Sequence, residues 1–207
     1  MVFKKFKNQV SRPTGFLGKL MIRKMNAHHA QLSNWGLSHL NRVSPREMLE
    51  IGCGGGRNAG QLISLFTTAH ITAIDYSPTS VKEARRHNRE AIRAGRCSVC
   101  EGDVSRLKFP DGSFDFASAF ETIYFWPGLT ECFKEVARVL KSGGFFMIVN
   151  ESDGEDEDSL EARKIIRGMN CYTPLEIEEA LKAAGFAKVK THHHSSKPWI
   201  TVLARKG

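Results

Sequence analysis

The run Met48-Leu49-Glu50-Ile51, continuing directly into Gly52-Cys53-Gly54-Gly55-Gly56 and Arg57, reads as a short apolar strand entering a glycine-rich turn that opens a helix. Outward from it, short apolar runs alternate with helical periodicity, the pattern of β-α units wound around a mainly parallel sheet. Strands are expected at Met48 to Ile51, Ile71 to Asp75, Ser98 to Glu101, Phe114 to Phe120 and Phe145 to Asn150. Between them the spacing predicts helices over Arg57 to Phe66, Pro78 to Ala94 and Pro127 to Leu140, with Ser77 as an N-cap, Gly95 as a stop and Gly143-Gly144 closing the third. Thr173-Pro174 opens a further helix through Ala184. The last two strands, near Phe186 to His192 and Trp199 to Ala204, are joined by so few residues, Ser195, Ser196 and Pro198 among them, that they must be antiparallel. Ahead of the first strand, Leu17, Leu20, Met21, Met25, His28, Leu32 and Trp35 fall on one face of a helix expected from Phe16 to Trp35.

The chain has 207 residues, 41% hydrophobic and 25% charged, which fits one globular domain with a full core. Residues 1–47 are read as an N-terminal helical arm belonging to the same domain as residues 48–207. The net charge of +8 comes from that arm, where nine Lys or Arg face Glu47 alone; the body beyond it carries 21 basic and 21 acidic side chains. Glu151 to Asp158 packs six carboxylates into eight positions, which would repel a phosphate backbone and reads as a solvated loop. No apolar run reaches the roughly 18 residues of a membrane span, and MVFKKFKNQVSR lacks the apolar block of a signal peptide, so a cytoplasmic protein is expected. The five cysteines (Cys53, Cys97, Cys100, Cys132, Cys171) are then expected as free thiols. Cys97 and Cys100 point to opposite faces of a strand, as do neighbours in His192-His193-His194, so no metal is expected at either.

A dinucleotide fingerprint would need glycine where Arg57 stands, and the carboxylate of Glu50 is ill suited to a pyrophosphate. Such a turn suits an adenosine carrying a cationic tail and no phosphate, and S-adenosylmethionine (SAM) is such a ligand. The segment Glu50-Ile51-Gly52-Cys53-Gly54-Gly55-Gly56 resembles motif I of the class I SAM-dependent methyltransferases, specifically their small type-11, UbiE-like branch. The likeness continues through Asp75, Gly102-Asp103-Val104, the turn Phe109 to Asp115 and Val139 to Gly144, covering about residues 48 to 150. It implies a Rossmann-like, seven-stranded, mostly parallel sheet with an antiparallel final strand, helices on both faces and an N-terminal helical cap. It also implies SAM held by Glu50, Gly52, Cys53, Gly54, Gly56, Asn58, Asp75, Tyr76, Ser77, Gly102, Asp103, Val104 and Phe120, with S-adenosylhomocysteine as product. In the family the acid at Asp75 takes both ribose hydroxyls, that at Asp103 lies beside the adenine amino group, and Glu50 orders the glycine loop. The residues also admit plainer roles: Asp75 as the acid at a helix start, Asp103 as a turn former, Glu50 as a buried cap, Phe120 as core.

Methyl transfer from a sulfonium needs mainly alignment, which is worth about 7–11 kcal/mol, so the pattern identifies no fixed catalytic residue. Acceptor-side candidates are His28, Glu121, Tyr124 and Tyr172; His29 faces another way and reads as a surface residue. No Asn- or Asp-Pro-Pro-aromatic run follows the fourth strand, no Pro-Cys dipeptide exists, and Glu121 has no partner glutamate in its loop. These absences argue against DNA and protein-arginine acceptors and leave a small molecule, with nucleic acid and membrane disfavoured and the chain a monomer or homodimer. The alternatives are an RNA or ribosomal-component methyltransferase guided by the basic arm, a SAM-binding protein without transfer activity, and a nicotinamide oxidoreductase.

Overall fold

In a computed structural model the described residues are 14, 15, 18, 20–22, 28–40 and 43–207. Seven strands form one sheet: β1 Glu47–Ile51, β2 His70–Asp75, β3 Cys97–Glu101, β4 Phe114–Phe120, β5 Leu140–Asn150, β6 Phe186–His193 and β7 Ile200–Lys206. Their order is β3-β2-β1-β4-β5-β7-β6, parallel throughout except that β7 runs antiparallel to both neighbours. The helices are α1 Ala30–Leu37, α2 Arg57–Leu65, α3 Pro78–His87, α4 Arg89–Arg93, α5 Leu129–Val139, α6 Glu157–Ile165 and α7 Pro174–Ala183. Among the described residues no helix is long and apolar enough to cross a membrane.

Strands covered on both faces read as continuous apolar runs. Met48 enters one core with Ile71, Phe116, Met147 and Leu32, while Leu49 enters the other with Ile74, Phe133, Phe146 and Val202. The sheet order reverses direction at β1, where β2 lies to one side and β4 to the other, and such a switch leaves a crevice at the strand C-termini.

Four expectations change. The helix expected over Pro78 to Ala94 divides into α3 and α4 at Asn88, whose buried amide donates to Gly56 O at 2.8 Å and Ala84 O at 3.1 Å. The third helix starts at Leu129 and ends at Val139, and β5 begins at once at Leu140, running through Gly143 instead of starting at Phe145. The arm helix is not continuous: His29 is non-helical (φ −82°, ψ 8°) and α1 starts after it, with Leu32 buried and Leu20 exposed. Phe16, Leu17 and Met25 lie outside the described residues. The acidic run is only partly solvated, since Asp156 caps α6 by accepting from Ser159 N at 2.9 Å and Glu151 pairs with histidines. All five cysteines are free thiols.

Candidate active site

A cavity of about 590 Å³ opens over the C-terminal ends of β1, β2 and β4. Its floor is the glycine turn. Gly52 N and Cys53 N both donate to Ile74 O (2.8 and 2.9 Å), and Gly54 N donates to Asp75 Oδ2 at 2.9 Å. Gly54 has a φ of +51°, and a Cβ placed there would meet nothing within 4 Å, so bare backbone faces the opening. Gly52 is required for space, because its Cβ would lie 2.4 Å from Thr122 Cγ2. That contact presses the turn against the residues that follow β4.

Asp75 ends β2 and is 7% exposed. Its second oxygen accepts from Ser77 N at 2.9 Å, so one carboxylate joins the glycine turn to the start of α3. Burial pushes its pKa up, against the pull of those two N–H groups. Asp103 accepts from Ser105 N (2.9 Å) and Ser105 Oγ (2.7 Å), capping a short 3₁₀ turn over Val104–Arg106 while still lining the cavity. Its turn-forming role and its place at the site therefore coexist.

Of the expected cofactor residues, Gly52, Cys53, Gly54, Asn58, Asp75, Tyr76, Gly102, Asp103, Val104 and Phe120 line this cavity. Three do not. Gly56 packs behind the turn, where a Cβ would lie 2.8 Å from Ala84 Cα. Ser77 is fully buried as the cap of α3, accepting from Ser80 N at 3.3 Å. Glu50 is buried behind the turn, its Oε2 without a hydrogen-bond partner among the described residues, and burial together with the Asp75 charge raises its pKa to about 8.

On the acceptor side, Glu121 and Tyr124 line the cavity, whereas His28 is 69% exposed and Tyr172 packs against the core around α5 and α7. His29, read from sequence as a surface residue, lines the cavity instead. The break before α1 turns its ring inward, with Nε2 3.4 Å from Glu151 Oε2 and 3.8 Å from Glu121 Oε2. Glu121 has a φ of +59°, alone among the described non-glycine residues in the left-handed region. Its Oε1 accepts from Tyr124 Oη at 3.1 Å and from the backbone N–H of Glu151. Burial raises its pKa to about 7, against the His29 charge. Burial alone would lower His29, but the hydrogen bond to Glu151 and the charges of Glu121 and Glu151 raise it; Glu151 is lowered chiefly by His29. Phe125, Trp126, Pro127, Ile22, Ile166 and Met169 complete a mainly apolar wall, which also holds the cation Arg167 beside Ile166. Glu151 is the first residue after β5, a strand-end position, and that was its available sequence signal.

A second, shallower depression of about 900 Å³ between α1, α2 and α3 is lined by Asn34, Arg57, Gln61, His87 and Arg96. It holds none of the strand-end carboxylates. Arg57 spans the two, reaching Gln61 Oε1 (2.6 Å) and Asn34 Oδ1 (3.4 Å), so it ties α1 to α2 where a dinucleotide turn would have glycine.

Sheet order, glycine turn and strand-end acids define a class I SAM-dependent methyltransferase domain. Residues 49–148 match the family described as a methyltransferase domain, type 11, and the chain carries a domain of that branch. It is 30% identical over 171 residues to the sterol 24-C-methyltransferase erg6 of Aspergillus fumigatus, a match covering 76% of this chain and 45% of that protein. It is 32% identical over 184 residues to ERG6B of Gibberella zeae, covering 81% of this chain and 48% of that protein. The chain thus spans about half the length of these curated relatives. Human N-acetylserotonin methyltransferase, solved with SAM, superposes with a TM-score of 0.73 at 20% identity over 90% of this chain and 55% of that one, a likeness of fold.

Proposed function

We propose that the chain transfers a methyl group from SAM to an apolar small molecule. The observation that carries this is Asp75 at the end of β2, one carboxylate holding both the glycine turn and the helix start beneath a single cavity. The residues present fit the cofactor. Gly54 offers bare backbone to open space, and of the roughly four lone-pair sites of the Asp75 carboxylate, Gly54 N, Ser77 N and the Ser80 side chain take three, which leaves room for a ribose hydroxyl. When bound, SAM supplies a methyl carbon on a sulfonium, an already activated leaving group.

The chain's own part is to bind, align and exclude water. Asp75 and the turn would hold the donor, with Asp103, Val104 and Phe120 of the same cavity lining the rest of its site. Phe125, Trp126, Ile166 and Met169 offer the acceptor an apolar surface that keeps water from the reacting atoms. The sterol 24-C-methyltransferase names of the relatives support an apolar acceptor. Calorimetric titration with SAM, and with NADH alongside, tests the reading: SAM binding without NADH binding is expected, and NADH binding alone would overturn it.

A further inference from the structure

Four titratable side chains run in a line from the cavity wall to solvent. Glu121 Oε2 lies 3.8 Å from His29 Nε2, which lies 3.4 Å from Glu151 Oε2, whose other oxygen is 3.3 Å from His28 Nε2. Side-chain exposure rises along the same order, 12%, 21%, 39% and 69%. We propose that this is a proton exit, with Glu121 accepting a proton from the methyl acceptor and His29, Glu151 and His28 carrying it out. The acceptor is accordingly an apolar amine or hydroxyl compound whose methylated atom bears a removable proton. This rests on the methyltransferase reading and names its substrate class.

The geometry assigns each member its place. Glu121 stands at the end of β4, its Oε1 fixed by the Tyr124 hydroxyl and the Glu151 N–H, which leaves Oε2 toward His29. Its left-handed backbone is costly for a non-glycine residue and persists only where the surroundings over-determine it, as they do at functional sites. The groups facing Glu121 are His29 from the arm, Tyr124 from its own loop, Glu151 after β5 and, by charge, the Cys171 thiol. A carboxyl group that titrates near neutral pH is suited to general-base work, whereas one in the ordinary range would be too weak a base. In the step, the acceptor's nitrogen or oxygen lone pair bonds to the methyl carbon and the carbon–sulfur pair leaves with sulfur. The displaced N–H or O–H proton goes to Glu121 Oε2. His29, protonated at the start, gives its proton to Glu151, which hands it on through His28 to solvent; His29 is then reprotonated from Glu121 through a water bridging their 3.8 Å gap, so one proton reaches solvent per turnover. Glu121 is the catalytic residue here; His29, Glu151 and His28 act through it.

Two measurements test this on the full chain. The first needs no acceptor: ¹⁵N-imidazole NMR titration of His29, assigned with His29→Asn, in the wild type, Glu121→Gln and Glu151→Gln. The His29 midpoint should lie above the ordinary value and fall in both variants; an unmoved midpoint in Glu121→Gln overturns the chain. The second follows S-adenosylhomocysteine release with decylamine and 4-octylphenol against N,N-dimethyldecylamine and 1-dodecene. Turnover is expected for at least one of the first pair and not for the second, with Glu121→Gln lowering kcat by about 10²–10⁴-fold and abolishing its rise through about pH 7. His29→Ala should lose kcat with KM unchanged and recover it with added imidazole, which a merely structural loss would not do. Comparable turnover of the tertiary amine or the alkene, or an activity that a chelator removes and a divalent cation restores, overturns the proposal. SAM calorimetry on the same samples separates the two readings. Failure to bind SAM sinks the methyltransferase reading, while SAM binding with an uncoupled His29 sinks only the proton exit.

Discussion

At the scale of single residues, Asp75 carries two roles that one substitution would remove together. Asp75→Ala takes away the acceptor for Gly54 N and Ser77 N as well as the lone pairs facing the cavity, and hydrogen bonds to a charged group contribute about 1.5–3 kcal/mol each. SAM affinity measured by calorimetry should fall at least about tenfold, and Asp75→Asn, which keeps one acceptor oxygen, should fall between. Glu50 makes a different prediction. Its folded pKa of about 8 exceeds the ordinary 4.5, so between those values the unfolded chain holds fewer protons than the folded one. Stability linked to this group is therefore full below about pH 4.5 and declines as pH rises to about 8. Urea midpoints should show Glu50→Gln close to the wild type at pH 5 and more stable by roughly a few kcal/mol at pH 8; an equal difference at both pH values would sink the argument. Glu50 and Asp75 were both legible as acids flanking a glycine turn. The pairing of His29 with Glu151 was not, because it depends on how the arm lands on the ends of β4 and β5, which no local spacing encodes.

At the scale of elements, the position of His29 depends on how closely α1 approaches the sheet. Gly36 sits where the helix crosses β5: a Cβ there would lie 2.7 Å from Val149 Cγ2 and 2.9 Å from Cγ1. In an exposed helix, Gly→Ala stabilises by about 1 kcal/mol. Here the neighbour is a buried, β-branched side chain that cannot swing away, and overpacking of this kind costs about 1–3 kcal/mol. Overpacking should win, so Gly36→Ala is expected to lower the denaturation midpoint, and a raised midpoint would mean that α1 stands farther from the sheet. The strands and most helix starts were legible, since Ser77-Pro78 and Thr173-Pro174 announce helices by chemistry confined to a few residues. The break at Asn88 was not, because its amide is drawn away by Gly56 O, 32 residues distant in sequence. The arm helix failed for a related reason, an unbroken apolar stripe hiding a turn at His29 that tertiary ion pairs hold.

At the scale of the molecule, the cavity draws its lining from segments spread along the chain: Ile22 and His29 of the arm, the glycine turn, the ends of β2 and β4, and Ile166 to Met169 before α7. Unfolding any of these segments destroys the site, so a ligand bound there stabilises the whole chain by mass action. At a free SAM concentration one hundred times its dissociation constant, the gain is about 2.7 kcal/mol. For a chain of 207 residues each kcal/mol shifts Tm by about 2–4 °C, which gives a rise of roughly 5–11 °C. Asp75→Ala, at the same SAM concentration, should rise by distinctly less, and NADH should produce no shift. If saturating SAM moved Tm by under about 2 °C while calorimetry still showed binding, the ligand would be held by a part of the chain that unfolds separately, and the cavity would not be its site.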